Sequence, residues 1–249
     1  MSVDPRQHGF EILYEEGPCL AVLKPAGVLT QAPPGIDSLE ARIKSVLRAR
    51  AGTPEEPYLG VPHRLDRPVS GAMVFATRRK AAHRLSKQFE RREVEKTYWA
   101  CVLGRVEPRQ GTWMDVLWKV HGQPRAQVVL PDHPEGQTAV LHYRTLGFHA
   151  LGSWLELVLE TGRTHQVRVQ AASRGHHLLG DAYYGAAAPF GPQFEDERLR
   201  AIALHARSLT FHDPMSRERV TVVAPLPEAW DELDLKPLET ASADELQKR

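Results

Sequence analysis

The sequence predicts an α+β fold: a mainly antiparallel central sheet with flanking helices. Three observations point there. Strand-length apolar or alternating runs follow one another through most of the chain, joined by short turns rich in Gly and Pro, which is how antiparallel neighbours are connected. Few segments carry apolar residues at helical spacing. The longest apolar runs are strand-sized, so none reaches the length needed to span a membrane.

Taken in order, Ile12–Tyr14 and Leu20–Leu23 read as two short strands, ending at the turn Lys24-Pro25-Ala26-Gly27. Ser38 is an N-cap candidate for a helix through about Ala51, with Leu39, Ile43, Val46 and Leu47 on one face and Gly52 as its stop. A Pro- and Glu-rich loop leads to Pro62. The run from Ala72 to Ala76 reads as a buried strand. A second helix, roughly Lys80 to Arg92, sets Ala81, Leu85 and Phe89 towards the core, while Arg84, Lys87 and Arg91 recur on another face. Lys96–Leu103 alternates as a strand and stops at Gly104. Gly111–Val129 holds two strands about a turn at His121-Gly122-Gln123-Pro124. Thr138–Gly147 and Ser153–Glu160 are two more. Thr164 is placed to cap a helix to Ser173, with Gly175 beyond its end. Segments at Leu204–Ala206, Leu209–His212 and Val220–Pro227 close the fold. Residues 1–230 are expected to form one domain, and residues 231–249 an acidic, poorly ordered tail.

Composition bounds the function. Hydrophobic content of 42% with 25% charged residues is that of an ordinary globular protein with a real core. The first residues lack the apolar stretch of a signal peptide. Cys19 and Cys101 lie in apolar segments and read as buried free thiols of a reducing cytoplasm. The net charge of +1 is unevenly spread. From Pro225 to Arg249 there are three basic and seven acidic residues, so the rest of the chain carries +5. Within it, Arg78 to Lys96 holds eight basic residues against three acidic ones, a stripe suited to phosphate or to plain solvation. Twelve histidines fall into no metal-binding spacing, and no nucleotide-binding glycine pattern occurs. No metal and no cofactor are expected.

The stretch richest in chemistry is His63-Arg64-Leu65-Asp66-Arg67-Pro68-Val69-Ser70-Gly71. It puts one carboxylate between two guanidinium groups on a turn at the edge of a core strand, where opposite charge offsets desolvation. Read alone, Asp66 is better taken as a brace for the turn than as a catalytic group. A second cluster is Gly162-Arg163-Thr164-His165-Gln166-Val167-Arg168, followed by Gly180-Asp181-Ala182-Tyr183-Tyr184-Gly185. Its basic residues gather at a helix start, where backbone N–H groups favour anions.

Together these segments resemble the RluA-type RNA pseudouridine synthases. His-Arg-Leu-Asp-Arg-x-x-Ser-Gly is similar to the family's catalytic motif, Lys-Pro-x-Gly to its first motif, and Lys96-x-Tyr98 to the motif whose Tyr packs against the target base. Gly-Arg-x-His-Gln-x-Arg with Gly-Asp-x-x-Tyr-Gly is similar to its third. The resemblance runs from about Ile12 to Pro227. It departs at Val69, where many relatives have Thr, and at His177, where Pro is usual. No S4-type RNA-binding domain is expected before the first motif. The resemblance implies a pseudouridine-synthase catalytic fold that isomerises specific uridines in tRNA or ribosomal RNA, without cofactor. It implies Asp66 as catalytic carboxylate, Tyr98 as ring and proton acceptor, and Arg163 as the partner that keeps Asp66 ionised. Arg64 is the candidate to fill the space of an extruded base. Arg67, His165 and Arg168 are candidates to hold RNA or to brace their loops, and Arg84, Lys87 and Arg91 to meet phosphates. A cytoplasmic monomer is expected. Two other readings stay open: a non-catalytic RNA-binding protein that keeps the fold, and a glycosidase-like enzyme using Asp181 as a second carboxylate.

Overall fold

The computed structural model describes residues 4–238. The chain clusters into two compact units. Among the described residues, one takes 4–95, 196–199 and 206–226; the other takes 96–195, 200–205 and 227–238. Each is built on antiparallel strands with few helices, which is the expected fold class.

In the first unit, strands β1 (Glu11–Glu16) and β2 (Cys19–Lys24) form a hairpin, and β2 pairs antiparallel with β3 (Ser70–Ala76). Every residue of β3 is buried, the mark of a strand covered on both faces. Helix α1 (Leu39–Ala51) lies between β2 and β3 in sequence. Its limits are local chemistry: Ser38 Oγ accepts from the Ala41 N–H, and Gly52 ends the helix at φ 64° with its N–H on Arg48 O. Helix α2 (Arg79–Glu90) follows β3. It buries Ala81 and Leu85 with Cys19, Val74, Leu209 and Phe211 in one apolar cluster. Phe89 packs at its edge. The 206–212 part of strand β9 (Leu204–His212) neighbours β3 and pairs antiparallel with β10 (Arg219–Val223).

In the second unit, β4 (Glu95–Leu103), β8 (Gly152–Leu159), β7 (Gln137–His149), β5 (Gln110–Lys119) and β6 (Ala126–Val129) are neighbours in that order, each pair antiparallel. Helix α3 (Gln166–Ala172) packs on β5 and β6, with Val169 joining Leu117, Ala126, Ala139 and Tyr184. Its start differs from expectation. Thr164 does not cap it; the residue before its first turn is His165, in the left-handed region at φ 52° and with no side-chain cap. The Gln166 side chain serves instead. Its Oε1 accepts from the Arg163 N–H at 3.0 Å and from Thr161 Oγ1 at 2.7 Å, and its Nε2 donates to Val140 O.

Part of the expected tail, within residues 231–238, is structured. Glu228–Leu233 is a 3-10 helix that buries Trp230 against Phe190 and His205. A two-residue strand, β11 (Lys236–Pro237), pairs with β7. Gly147 permits that approach, since a Cβ there would lie 2.2 Å from Lys236 O. Apolar burial and strand pairing outweigh the acidic composition. Residues 239–249 of the expected tail lie outside the described residues.

Candidate active site

The Asp66 loop is fixed from three directions within the first unit. The chain leaves β2 at Lys24, which is opposite Gly71 in the β2–β3 register. Lys24 is fully buried. Its ammonium donates to Val69 O at 2.7 Å, Pro25 O at 3.0 Å and Arg67 O at 3.2 Å, clasping both ends of the turn that follows Asp66. Burial pushes Lys24 down to about 7, with Asp66 acting in the opposite direction and Arg67 and Arg42 adding to the fall. Thr30 makes the second anchor: its hydroxyl donates to Leu65 O at 2.9 Å and accepts from the Leu65 N–H at 3.2 Å. The Gly27 turn is the third. Gly27 N–H donates to Arg67 O, and Arg67 Nε donates back to Gly27 O, both at 2.8 Å. The loop then closes on itself through Val69 N–H to Asp66 O at 3.1 Å.

Two glycines make this packing feasible. At Gly27, φ 81°, a Cβ would sit 2.8 Å from Leu199 O. At Gly71, φ 129°, it would sit 2.4 Å from Ala206 O. A side chain at either position would have to displace backbone, and the positive φ disfavours one in any case. His63 supplies a further tie: its Nε2 accepts from the Val74 N–H at 3.0 Å, and its ring stacks on Phe89 of α2 at 4.4 Å. Asp66 and Arg67 are half-buried in this loop, and Arg64 is exposed. A carboxylate on a loop this well tied loses little freedom when a substrate reaches it.

In the second unit the site residues divide by burial. Tyr98 is half-buried on β4, opposite Leu157 of β8. Arg163 is half-buried; its Nε donates to Thr138 O at 3.1 Å. A cavity of about 440 Å³ opens beside Arg163 and Thr164, with Trp118 and His121 of the β5–β6 hairpin on its walls. Arg168 is 5% exposed, and its Nε and Nη2 each meet a carboxylate oxygen of Asp181 at 2.7 Å. Of the two roles left open for Arg168, holding RNA or bracing, this enclosure favours the brace, since the guanidinium is already paired and shielded from solvent. Asp181, 2% exposed, is spent in the same pair, so it is unavailable as the second carboxylate of a glycosidase. His165 belongs to a further brace. Its Nδ1 lies 2.9 Å from Tyr184 Oη, which also donates to Ala126 O and accepts from the Ala126 N–H. His177, the departure from Pro, has Nδ1 2.7 Å from Tyr184 O, a bond that Pro cannot make.

Arg84 of α2 donates from Nη1 to Pro214 O at 2.6 Å. Lys87 and Arg91 are exposed and lie beside Glu90 and Glu93 at 2.8 and 3.9 Å. Cys19 and Cys101 are buried free thiols, and burial, with Asp213 nearby, pushes Cys19 up to about 12. Among the described residues no group of three His, Cys, Asp or Glu side chains is arranged to hold a metal ion, and no helix is long and apolar enough to cross a membrane.

Sequence reading placed Lys24 in the first motif but gave its side chain no role, and it passed over Thr30. The signal for Lys24 was present: a lysine closing an apolar strand directly before Pro sits where an inward side chain is expected. Thr30 carried no such signal, because its partner is 35 residues away.

The family model described as RNA pseudouridylate synthase matches residues 19–173. An uncharacterised RNA pseudouridine synthase of Synechocystis sp. is 34% identical over 229 residues, covering 90% of this chain and 67% of that protein. The ribosomal large subunit pseudouridine synthase D of Escherichia coli is 32% identical over 238 residues, covering 92% and 71%. Among solved structures, human RNA pseudouridylate synthase domain containing 4 superposes with a TM-score of 0.74 at 23% identity, covering 91% of this chain and 94% of that one. The chain belongs to the RNA pseudouridine synthase family, a family of isomerases that act on RNA.

Proposed function

We propose that this protein isomerises uridine to pseudouridine in ribosomal RNA or tRNA, with Asp66 as the catalytic carboxylate and Tyr98 and Arg163 completing the catalytic set. The observation that carries the reading is the tethering of Asp66. One loop of nine motif residues is held by a buried ammonium, a buried hydroxyl and a two-way bond to the Gly27 turn. Such investment in a loop with a half-exposed carboxylate suits a group that must meet a reacting atom in one geometry.

The reaction breaks the N1–C1′ bond of the uridine, turns the base, and joins C5 to C1′; C5 gives up its hydrogen as a proton and the freed N1 takes one up. Every heavy atom of the product comes from the substrate, so no cofactor enters. The uridine is first extruded, at a cost of a few kcal/mol that contacts elsewhere must offset. Arg64, exposed beside Asp66, is proposed to occupy the vacated space, where a planar guanidinium stacks and pairs. Asp66 acts on the sugar, as nucleophile at C1′ or as base at C2′. Tyr98 is proposed as the ring against the base and as acceptor of the C5 proton. Arg67 and His165 are proposed to act through their loops, which their hydrogen bonds already organise. The large-subunit synthase among the relatives favours ribosomal RNA as the first substrate to try. We propose that residues 1–230 act as one catalytic domain, in a cytoplasmic monomer.

The test uses RNA carrying tritium at uridine C5. The parent protein should release tritium from ribosomal RNA or tRNA prepared from cells lacking it. Asp66→Asn should release none while binding the same RNA within roughly tenfold, about 1.4 kcal/mol. Tight binding by the parent with no release from any RNA would establish a binding protein instead. Release by Asp66→Asn at the parent rate would remove Asp66 from the mechanism.

A further inference from the structure

The basic stripe of α2 does not end at the helix. A cavity of about 530 Å³ lies in the first unit between α2 and the turn that joins β9 to β10. Lys87 and Arg91 enter it from the helix and Arg217 from the turn, with His83 and His212 beside them. Arg217 makes no ion pair or side-chain hydrogen bond among the described residues. Its own backbone is held at φ 68°, within a turn closed by Arg217 N–H to Asp213 O at 3.0 Å.

The walls of this cavity are locked together. Gln88, 8% exposed, bonds both ways with His212: Nε2 donates to His212 O and Oε1 accepts from the His212 N–H, each at 2.8 Å. Arg84 Nη1 reaches Pro214 O at 2.6 Å. The helix and the turn therefore present their cations at a fixed separation, and a ligand meets them without first ordering the backbone.

The carboxylates nearby compete poorly. Asp213 is 2% exposed and turned into its own turn, where Oδ1 accepts from the N–H groups of Met215 at 2.7 Å and Ser216 at 2.9 Å. Glu90 and Glu93 are paired with Lys87 and Arg91 only at the surface, with side-chain exposures of 61% and 46%. Pairs this exposed contribute little, and an anion carrying charge on several oxygens displaces them readily.

We propose that this cradle is a docking site for the RNA phosphodiester backbone, outside the catalytic loop, with Lys87, Arg91 and Arg217 as its phosphate contacts and Arg84 and Gln88 as its frame. The inference rests on the reading of the protein as an RNA enzyme. It moves Arg84 from contact to frame, and it adds Arg217, which sequence spacing could not associate with a helix more than a hundred positions earlier. The site is indifferent to base sequence, since nothing in it is built to read a base edge. It supplies grip on the RNA scaffold, which is where the energy to extrude a uridine must come from.

The measurement is RNA affinity as a function of salt, on the full chain, using the ribosomal RNA and tRNA of the tritium assay as probes. Lys87→Gln/Arg91→Gln/Arg217→Gln should weaken binding at least tenfold at low salt. It should also flatten the plot of log affinity against log salt by about 2–3, at roughly 0.7–0.9 for each phosphate that is no longer neutralised. Arg217→Lys keeps the charge and should keep the slope. All of these side chains are exposed, and thermal unfolding checks that the variants fold. A triple variant with the parent's slope overturns the cradle, even if the parent isomerises uridine normally. A flattened slope with no tritium release by the parent supports the cradle and refutes the enzyme reading, so the two failures are distinct.

Discussion

Replacing Lys24 by Met tests the energetics of the Asp66 loop, because Met keeps much of the side chain's length and removes only the ammonium. Two effects oppose each other. Three carbonyls, of Pro25, Arg67 and Val69, lose their donor; at roughly 1–3 kcal/mol for each buried group left unpaired, the loss is about 3–9 kcal/mol. Against this, the variant no longer buries a charge. The fall of Lys24 from 10.5 to about 7 corresponds to about 5 kcal/mol. Near pH 7 and below, the variant should therefore lie within about 4 kcal/mol of the parent. The pH dependence is sharper. Above pH 7 the folded parent has released a proton that the unfolded chain keeps until 10.5, so the unfolded state binds more protons and the parent gains stability as pH rises. The variant has no such group, and other titrations cancel in the comparison. Between pH 7 and 9 the unfolding free energy of the parent minus that of Lys24→Met should grow by about 2 kcal/mol. Urea unfolding followed by tryptophan fluorescence at pH 7, 8 and 9, at constant ionic strength, measures it. A difference that stays level, or shrinks, would show that Lys24 holds its proton throughout this range and that burial does not dominate its surroundings.

Two further outcomes follow from the second unit. Arg168→Met should destabilise the protein by about 3–5 kcal/mol, since it leaves Asp181 buried and unpaired, whereas Arg168→Met/Asp181→Leu should recover most of that loss. Equal stability of the single and double variants, or a flattened salt dependence of RNA binding in the single one, would contradict the bracing role. Tyr98→Phe keeps the ring and loses the hydroxyl. It should bind RNA like the parent and slow tritium release by about 10²–10⁴-fold, the usual worth of a positioned proton acceptor; release at the parent rate would confine Tyr98 to packing.

What could be read from the chain alone was whatever neighbouring residues decide among themselves. Ser38 and Gly52 set the ends of α1 because capping needs partners only three or four residues away. The run Ala72–Ala76 identified a buried strand, and the order of motifs identified the loop that carries Asp66. Thr164 shows where such reasoning stops. It is a good cap by type, yet Gln166, bonded to Thr161 and Val140, already satisfies the turn. Long-range partners were beyond reach for the same reason. Lys24 meets Arg67 and Val69 across more than forty residues, Gln88 meets His212 across 124, and Trp230 is buried although its neighbours are acidic. The choice between phosphate and Asp181 for Arg168, or between solvent and a cradle for α2, depends on which distant segment the closed chain brings alongside. Residue type fixes what a side chain can bond, local sequence fixes the helix or strand that carries it, and only tertiary closure fixes which partner excludes water from it.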